Sequence, residues 1–315
     1  MNELMTITTG NVLQQQRDAF TPDLFSRWIA FIDATEKTSA TYTRSLRSFI
    51  TYLKDNEITQ PTREDVIAYR EGLKAQGKKA TTIQSYLAPV KLFFTWTQTE
   101  GLYPNIAERV KGAKIDKGHK RDYLTSRQAG KLLDTIDRTT LKGKRDYAML
   151  ALMLTTGLRT ISIIRADIGD IRAAGDETAL YFQGKGHDEK AEYVKLAGPV
   201  EDAIRDYLKA RKETNPAAPL FASEANRNAG GRMTTRSISR TAKEHMVEIG
   251  LDDERHTAHS LRHTAATLNL LNGATLEETQ QLLGHANIST TMIYAHALER
   301  ANNNSEKRIA AAIFG

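Results

Sequence analysis

The chain contains no cysteine, which excludes disulfides, thiolate zinc sites and cysteine nucleophiles together. It also lacks any run approaching the roughly 18 apolar residues of a membrane span. Its N-terminus, MNELMTITTGNVLQQQ, has neither the basic nor the apolar stretch of a secretory signal. No internal repeat and no low-complexity tract interrupts the sequence. These absences together lead to the expectation of a cytoplasmic protein.

What is present points to two domains. The chain has 315 residues, and single domains usually run to about 100–200. A hydrophobic content of 40% is enough to fill two cores. The net charge is +6, which favours a polyanionic partner without naming one. Much of that excess lies in Lys111 to Arg121, KGAKIDKGHKR, with five basic residues and one acidic.

From Asp23 to about Glu108 the pattern is of helices separated by polar turns. Tyr42, Leu46, Phe49, Ile50 and Leu53 recur at steps of three and four, one apolar stripe at helical period. Ile83, Leu87, Val90, Phe93 and Phe94 repeat it between about Thr81 and Glu100, and Pro61 marks the approach to a helix over Arg63 to Ala75. A small all-helical domain over 23–110 is expected, preceded by a short extension, 1–22. The basic stretch 111–121 has no apolar periodicity and contains Gly112 and Gly118, so it is expected to be an extended linker. A second domain follows over 122–298. Thr125 and Gln128 have the spacing of a capping box, and an apolar helix runs from Arg145 to Thr156 and stops at Gly157. Ala179 to Gln183 and Glu192 to Leu196 alternate as a β-hairpin with a wide loop over 184–190. The fold expected is mainly α with a small β-hairpin or sheet.

Six residues in the second half carry the chemistry, and each has a bland reading when taken alone. Arg159 follows a glycine turn, as capping arginines do; Lys185 lies in the hairpin loop, where lysines are normally just solvated. His259 and Arg262, at i, i+3, share one helical face, with His263 on a neighbouring one. His285 follows the helix Leu276 to Leu283 and suits its dipole, and Tyr294 lies in a further helix. Together they are what metal-free cleavage of a phosphodiester requires. The forks of Arg159 and Arg262 can pair the non-bridging oxygens that gain charge on attack. His259 and His285 can add donors or take the phenolic proton. Tyr294, with a free pKa of about 10, needs cationic neighbours and a base to act as nucleophile. Lys185 can protonate the departing 5′-oxygen.

The strings TTGLRTISII, GKGHDEKAEYVKL, HSLRHTAAT and LLGHANISTTMIYAH resemble the successive signature motifs of the tyrosine recombinase (phage integrase) family. The resemblance covers essentially the whole chain and favours a compact member of the Xer or transposon kind, since the segment before Asp23 leaves little room for an arm-binding domain. It implies a helical core-binding domain and a mixed, mostly helical catalytic domain. It also implies the catalytic set Arg159, Lys185, His259, Arg262, His285 and Tyr294, a 3′-phosphotyrosyl intermediate, and resealing without metal, ATP or other cofactor. The partners implied are double-stranded DNA sites and four copies of the chain in a ring on two such sites, with helper proteins left open. One position departs from the pattern: the third residue after the first arginine is usually acidic, and here it is Ser162, which cannot form a bidentate salt bridge. Weakened positioning of Arg159 is expected.

For DNA contact, Lys111, Lys114, Lys117, Lys120 and Arg121 are expected to follow phosphates, giving affinity rather than sequence choice. Helix surfaces would read bases: Thr41, Arg44 and Arg47, then Lys78, Lys79, Thr81 and Thr82 in the first domain, and Thr234, Thr235, Arg236, Ser237 and Arg240 in the second. The bland alternative for these is a solvated basic face. Residues 299–315 end in an apolar cluster, Ile309, Ala311, Ala312, Ile313 and Phe314, expected to dock in a neighbouring protomer or back on its own domain. Two rival readings stay open: a type IB topoisomerase, which shares the chemistry, and a DNA-binding accessory protein whose site has decayed.

Overall fold

The computed structural model describes residues 22–114, 122–184 and 189–314. They form two compact units that divide within the basic segment 111–121. Among the described residues no helix is long and apolar enough to cross a membrane.

The first unit contains α1 (Pro22–Ile32), α2 (Glu36–Asp55), α3 (Arg63–Ala75) and α4 (Ala80–Thr99). The stripe predicted on α2 is its buried face: Leu46, Phe49, Ile50 and Leu53 all lie in the core. Phe49 meets Phe94 edge to face at 6.0 Å, and Trp28 of α1 meets Phe93 at 5.8 Å, so aromatic rings from three helices interlock. The start of α3 is set by Thr62, whose backbone N–H donates to the Asp65 carboxylate at 2.7 Å. The beginning of the expected linker belongs to this unit. Arg70 donates to the Lys111 carbonyl at 2.7 Å, and Val110 and Ala113 pack on the core.

The second unit is built around α6 (Leu141–Thr156), in which Ala148 through Leu154 are all buried. Such a helix has no polar face because neighbours cover it on every side, here α8 (Gly198–Arg211) and α10 (Ala258–Leu271) among them. It begins at Leu141 rather than Arg145, because Thr140 accepts the Gly143 N–H at 3.0 Å and caps an extra turn. The predicted capping box opens α5 (Ser126–Asp134), with the Thr125 N–H donating to Gln128 Oε1 at 2.9 Å. After α7 (Thr160–Arg165) and a short 3-10 turn (Ile168–Asp170) comes an antiparallel sheet, β1 (Ile171–Ala174), β2 (Glu177–Phe182) and β3 (Glu192–Lys195), in that order. The hairpin expectation covers β2 and β3, which pair with Phe182 opposite Glu192. Strand β1 is an addition. Its IRAA sequence has little alternation, and it is recruited by the tight Gly175-Asp176 turn that sets Ala174 opposite Glu177.

The remaining helices are α9 (Thr235–Glu248), α11 (Leu276–Leu283), α12 (Ser289–Asn302) and α13 (Ser305–Phe314). No residue of α13 is buried, and Ile313 and Phe314 are 66% and 86% exposed. Among the described residues nothing covers the apolar side chains of this helix.

Core position and tail should respond differently to truncation. Leu150→Ala on α6, where the leucine is fully buried, is expected to cost roughly 2–5 kcal/mol in urea unfolding. Ile309→Ala on α13 should stay within about 0.5 kcal/mol in the same experiment.

Candidate active site

Helix α6 ends at Gly157, which adopts a left-handed conformation (φ 64°) and donates to the Met153 carbonyl. A Cβ here would lie 2.6 Å from Leu283 Cδ2, so glycine is required both by the turn and by the approach of α11. Arg159, two residues on, is the N-cap of α7 and is half-buried. Among the described residues no hydrogen bond or ion pair holds its guanidinium.

Arg262 is held firmly. It is 4% exposed, and its Nη1 and Nη2 donate to the carbonyls of Gly157 and Leu283, each at 2.6 Å. Both carbonyls lie at helix C-termini, where the partial negative charge of the dipole favours a cation. Burial, and next the nearby Arg159 charge, lowers its pKa to about 10, so it remains charged at neutral pH. Two of the five guanidinium N–H donors are used in this way; the rest suit an oxyanion.

His285 follows the left-handed Gly284 that closes α11. The Gly284 N–H donates to the Gln281 carbonyl (3.0 Å) and the His285 N–H to the Gln280 carbonyl (3.1 Å), which fixes the exit direction of the chain. Its Nδ1 shares a 2.9 Å hydrogen bond with the hydroxyl of the fully buried Thr291, leaving Nε2 for chemistry. Burial, then Arg262, Arg159 and His259 in that order, pushes its pKa down to about 4. The ring is therefore neutral at pH 7.

Tyr294, on α12, is 4% exposed and packs with Ala266 and Leu283. Its ring lies parallel to that of His285 (6.4 Å, 7°) and at a steep angle to that of His263 (5.1 Å, 62°). Burial pushes the phenol pKa up, while Arg262 and Arg159 pull it down. At rest the side chain is thus the neutral phenol, beside two cations that oppose its protonation. His259 is exposed, with its ring 4.6 Å from that of His263. His263, placed by its spacing on the neighbouring face, lies one helical turn beyond His259 and has its ring in contact with both that histidine and Tyr294. The i, i+4 spacing was the signal for it.

Five of the six predicted catalytic residues, Arg159, His259, Arg262, His285 and Tyr294, are thus brought into one neighbourhood; Lys185 lies outside the described residues. Residues 122–300 match the Phage integrase family, and residues 29–101 match the Phage integrase, N-terminal SAM-like domain. The chain belongs to the phage integrase family of tyrosine recombinases. It is 30% identical to tyrosine recombinase XerC of Herpetosiphon aurantiacus, over 83% of this chain and 85% of that protein. It is also 30% identical to tyrosine recombinase XerD of Oceanobacillus iheyensis, over 83% and 88% of the two chains. In fold it is similar to the XerH site-specific recombinase bound to its difH substrate (TM-score 0.69, 21% identity, covering 92% and 86% of the two chains). The Tn1549 transposon integrase in complex with a circular intermediate DNA is similar to the same degree (TM-score 0.69, 17% identity, 90% and 94%).

The predicted DNA-contact residues of this recombinase fall on separate surfaces of the two units. On α2, Arg44 and Arg47 are exposed, Arg47 resting 6.0 Å from the Phe25 ring centre, while the Thr41 hydroxyl donates to the Lys37 carbonyl. Lys78, Lys79 and Thr81 are exposed at the start of α4 and Thr82 is half-buried. On the second unit, Thr234 caps α9 by accepting the Ser237 N–H at 3.1 Å, and Thr235, Arg236 and Arg240 are exposed, Arg240 lying 3.5 Å from Glu244. Lys117, Lys120 and Arg121 lie outside the described residues. Ser162 is buried (4% exposed) and is tied to Arg159 through its backbone N–H, not its hydroxyl.

The electrostatics predict an order of titration. Asp146, 3.9 Å from His245 Nε2, and Glu248, hydrogen-bonded to Nδ1 at 3.0 Å, raise the His245 pKa against the opposing effect of burial. Its contribution to stability is complete below the unfolded-state pKa and is lost as pH rises through the higher folded value. His285 behaves oppositely: its contribution is complete above the unfolded value of about 6.5 and falls as pH drops from there towards 4. A proton NMR titration of the imidazole resonances should place His245 above the ordinary histidine range and His285 well below it. A His285 midpoint in the ordinary range would mean that its ring is hydrated rather than dry.

Proposed function

We propose that this chain is a site-specific DNA recombinase acting through a covalent 3′-phosphotyrosyl intermediate, with Arg159, Lys185, His259, Arg262, His285 and Tyr294 as its catalytic residues. The observation that carries this reading is the buried Tyr294 phenol set against His285 in the field of Arg262 and Arg159. In the cleavage step Tyr294 Oη attacks the phosphorus and its proton passes to a histidine, His259 being the exposed one. The Oη–P bond forms as the P–O5′ bond breaks, and Lys185 supplies a proton to the departing 5′-oxygen. Arg262, with N–H donors to spare, and Arg159 take the charge on the non-bridging oxygens. A phosphate ester is conserved throughout, so a second strand's 5′-hydroxyl reverses the step and seals the joint without ATP.

The assignment of segments follows. Residues 23–110 form the core-binding domain, 111–121 the basic linker, 122–298 the catalytic domain and 299–315 the docking tail. The exposed helix starts and basic side chains on each unit face double-stranded DNA, with phosphate contacts setting affinity and its salt dependence. The apolar side of α13 inserts into a neighbouring copy, which closes four subunits on two DNA sites; its exposure favours this reading over a topoisomerase acting alone. Arg159 is the weak point. With Ser162 where an acidic partner would stand, its guanidinium is not pre-oriented, and cleavage is slower than it would be with a carboxylate there.

Two experiments test these assignments. With nicked suicide duplexes from the protein's own genetic neighbourhood, in EDTA, the wild-type chain should give an SDS-resistant DNA adduct that Tyr294→Phe abolishes. An adduct that survives this substitution would remove Tyr294 as the nucleophile. On the same duplexes Ser162→Glu should cleave about tenfold faster, the equivalent of ~1.4 kcal/mol in the barrier. An unchanged rate would show that Arg159 needs no acidic partner.

A further inference from the structure

The chain on either side of the β2–β3 connection is tied to one short stretch of the fold. Before the connection, Gln183 Oε1 accepts a hydrogen bond from Arg165 Nη1 at 2.7 Å. After it, Lys190 Nζ donates to Asp167 Oδ2 at 2.7 Å and also to Asp170 Oδ2. Arg165, Asp167 and Asp170 all belong to the dozen residues that open with Arg159 as the N-cap of α7 and run through the 3-10 turn. That stretch is braced in turn. Asp170 Oδ2 accepts the Asp167 N–H at 2.7 Å, and Arg232 bonds to Asp167 and to the carbonyls of Ile164 (3.0 Å) and Ala166 (3.3 Å).

An exposed ion pair contributes little, but this one is sheltered. The side chains of Lys190, Asp167 and Asp170 are 27%, 22% and 14% exposed. Burial alone would lower the lysine pKa, yet its two carboxylate partners raise it, and the Asp167 pKa is lowered. A doubly bonded ammonium between two carboxylates resists displacement, and it holds the chain at Lys190 against that stretch.

We propose that Lys190 is a positioning residue for strand cleavage. With the Arg165–Gln183 bond, its bridge to Asp167 and Asp170 anchors both ends of the hairpin loop to the segment headed by Arg159. The proton donor carried by the loop and the arginine that holds the phosphate are thereby referred to one rigid base. This rests on the reading of Lys185 as that donor.

The test compares single-turnover cleavage of two nicked suicide duplexes that carry the sequence recovered from the adduct. One has the ordinary 5′-oxygen at the scissile position and the other a bridging 5′-sulfur, which departs as a thiolate without needing a proton. Lys190→Gln is expected to slow the oxygen duplex by at least about tenfold while cleaving the sulfur duplex within about twofold of wild type, and Lys190→Arg should keep most of the oxygen rate. Cleavage of the sulfur duplex also reports that the variant is folded. Gln183→Ala, which cuts the other tether, should show the same sulfur-dependent recovery. The proposal is overturned if Lys190→Gln cleaves the oxygen duplex at the wild-type rate, or if it slows both duplexes alike, as a purely structural residue would. Lys185→Ala separates the two readings. If sulfur does not rescue it, the donor assignment fails and the proposal falls with it; if sulfur rescues Lys185→Ala but not Lys190→Gln, only the proposal fails.

Discussion

The guanidinium of Arg262, shared between the carbonyls of Gly157 and Leu283, joins the C-terminal ends of two helices that are 126 positions apart in number. Three of the described site residues lie close to that junction. Gly157 leads within two residues to Arg159, and Leu283 leads within two residues to His285. Tyr294 packs against the same Leu283. The guanidinium charge thus satisfies two helix ends, which is why it can be buried with no carboxylate bonded to it among the described residues.

The consequence is a site with a deficit of negative charge. Burial and then the Arg159 charge lower the pKa of Arg262, His285 is held neutral, and the phenol of Tyr294 stays protonated through burial. A phosphate diester entering such a site supplies the missing anion. It relieves the repulsion between the guanidinium groups. The resting electrostatics are therefore matched to the loaded site.

Arg159 and Lys190 show how unevenly the fold spends its ionic contacts. Among the described residues no side chain bonds the Arg159 guanidinium, whereas a few residues further on Asp167 and Asp170 collect Lys190 and Arg232. The side-chain bonds are concentrated at the flanks of the hairpin loop, on Arg165, Asp167 and Asp170.

Much of this was legible in the amino-acid order, because the features concerned are local. Caps at i, i+3, such as Thr125 with Gln128, and the apolar stripe on α2 are consequences of helical geometry within one or two turns. The family motifs likewise name catalytic residue types by short strings. Strand β1 escaped because four residues with little alternation become a strand only when a neighbour offers a hydrogen-bonding edge. His263 escaped because its role depends on a ring from another helix. The sequence by itself determined most of the helices, the β2–β3 hairpin, the two units and the identity of the candidate catalytic groups. Only the tertiary structure decided that Arg262 caps two helices, that Thr291 holds His285, that Tyr294 is buried and protonated at rest, and that Lys190 anchors the hairpin. Those contacts join residues distant in sequence, and their energies depend on burial, which no local pattern of residues specifies.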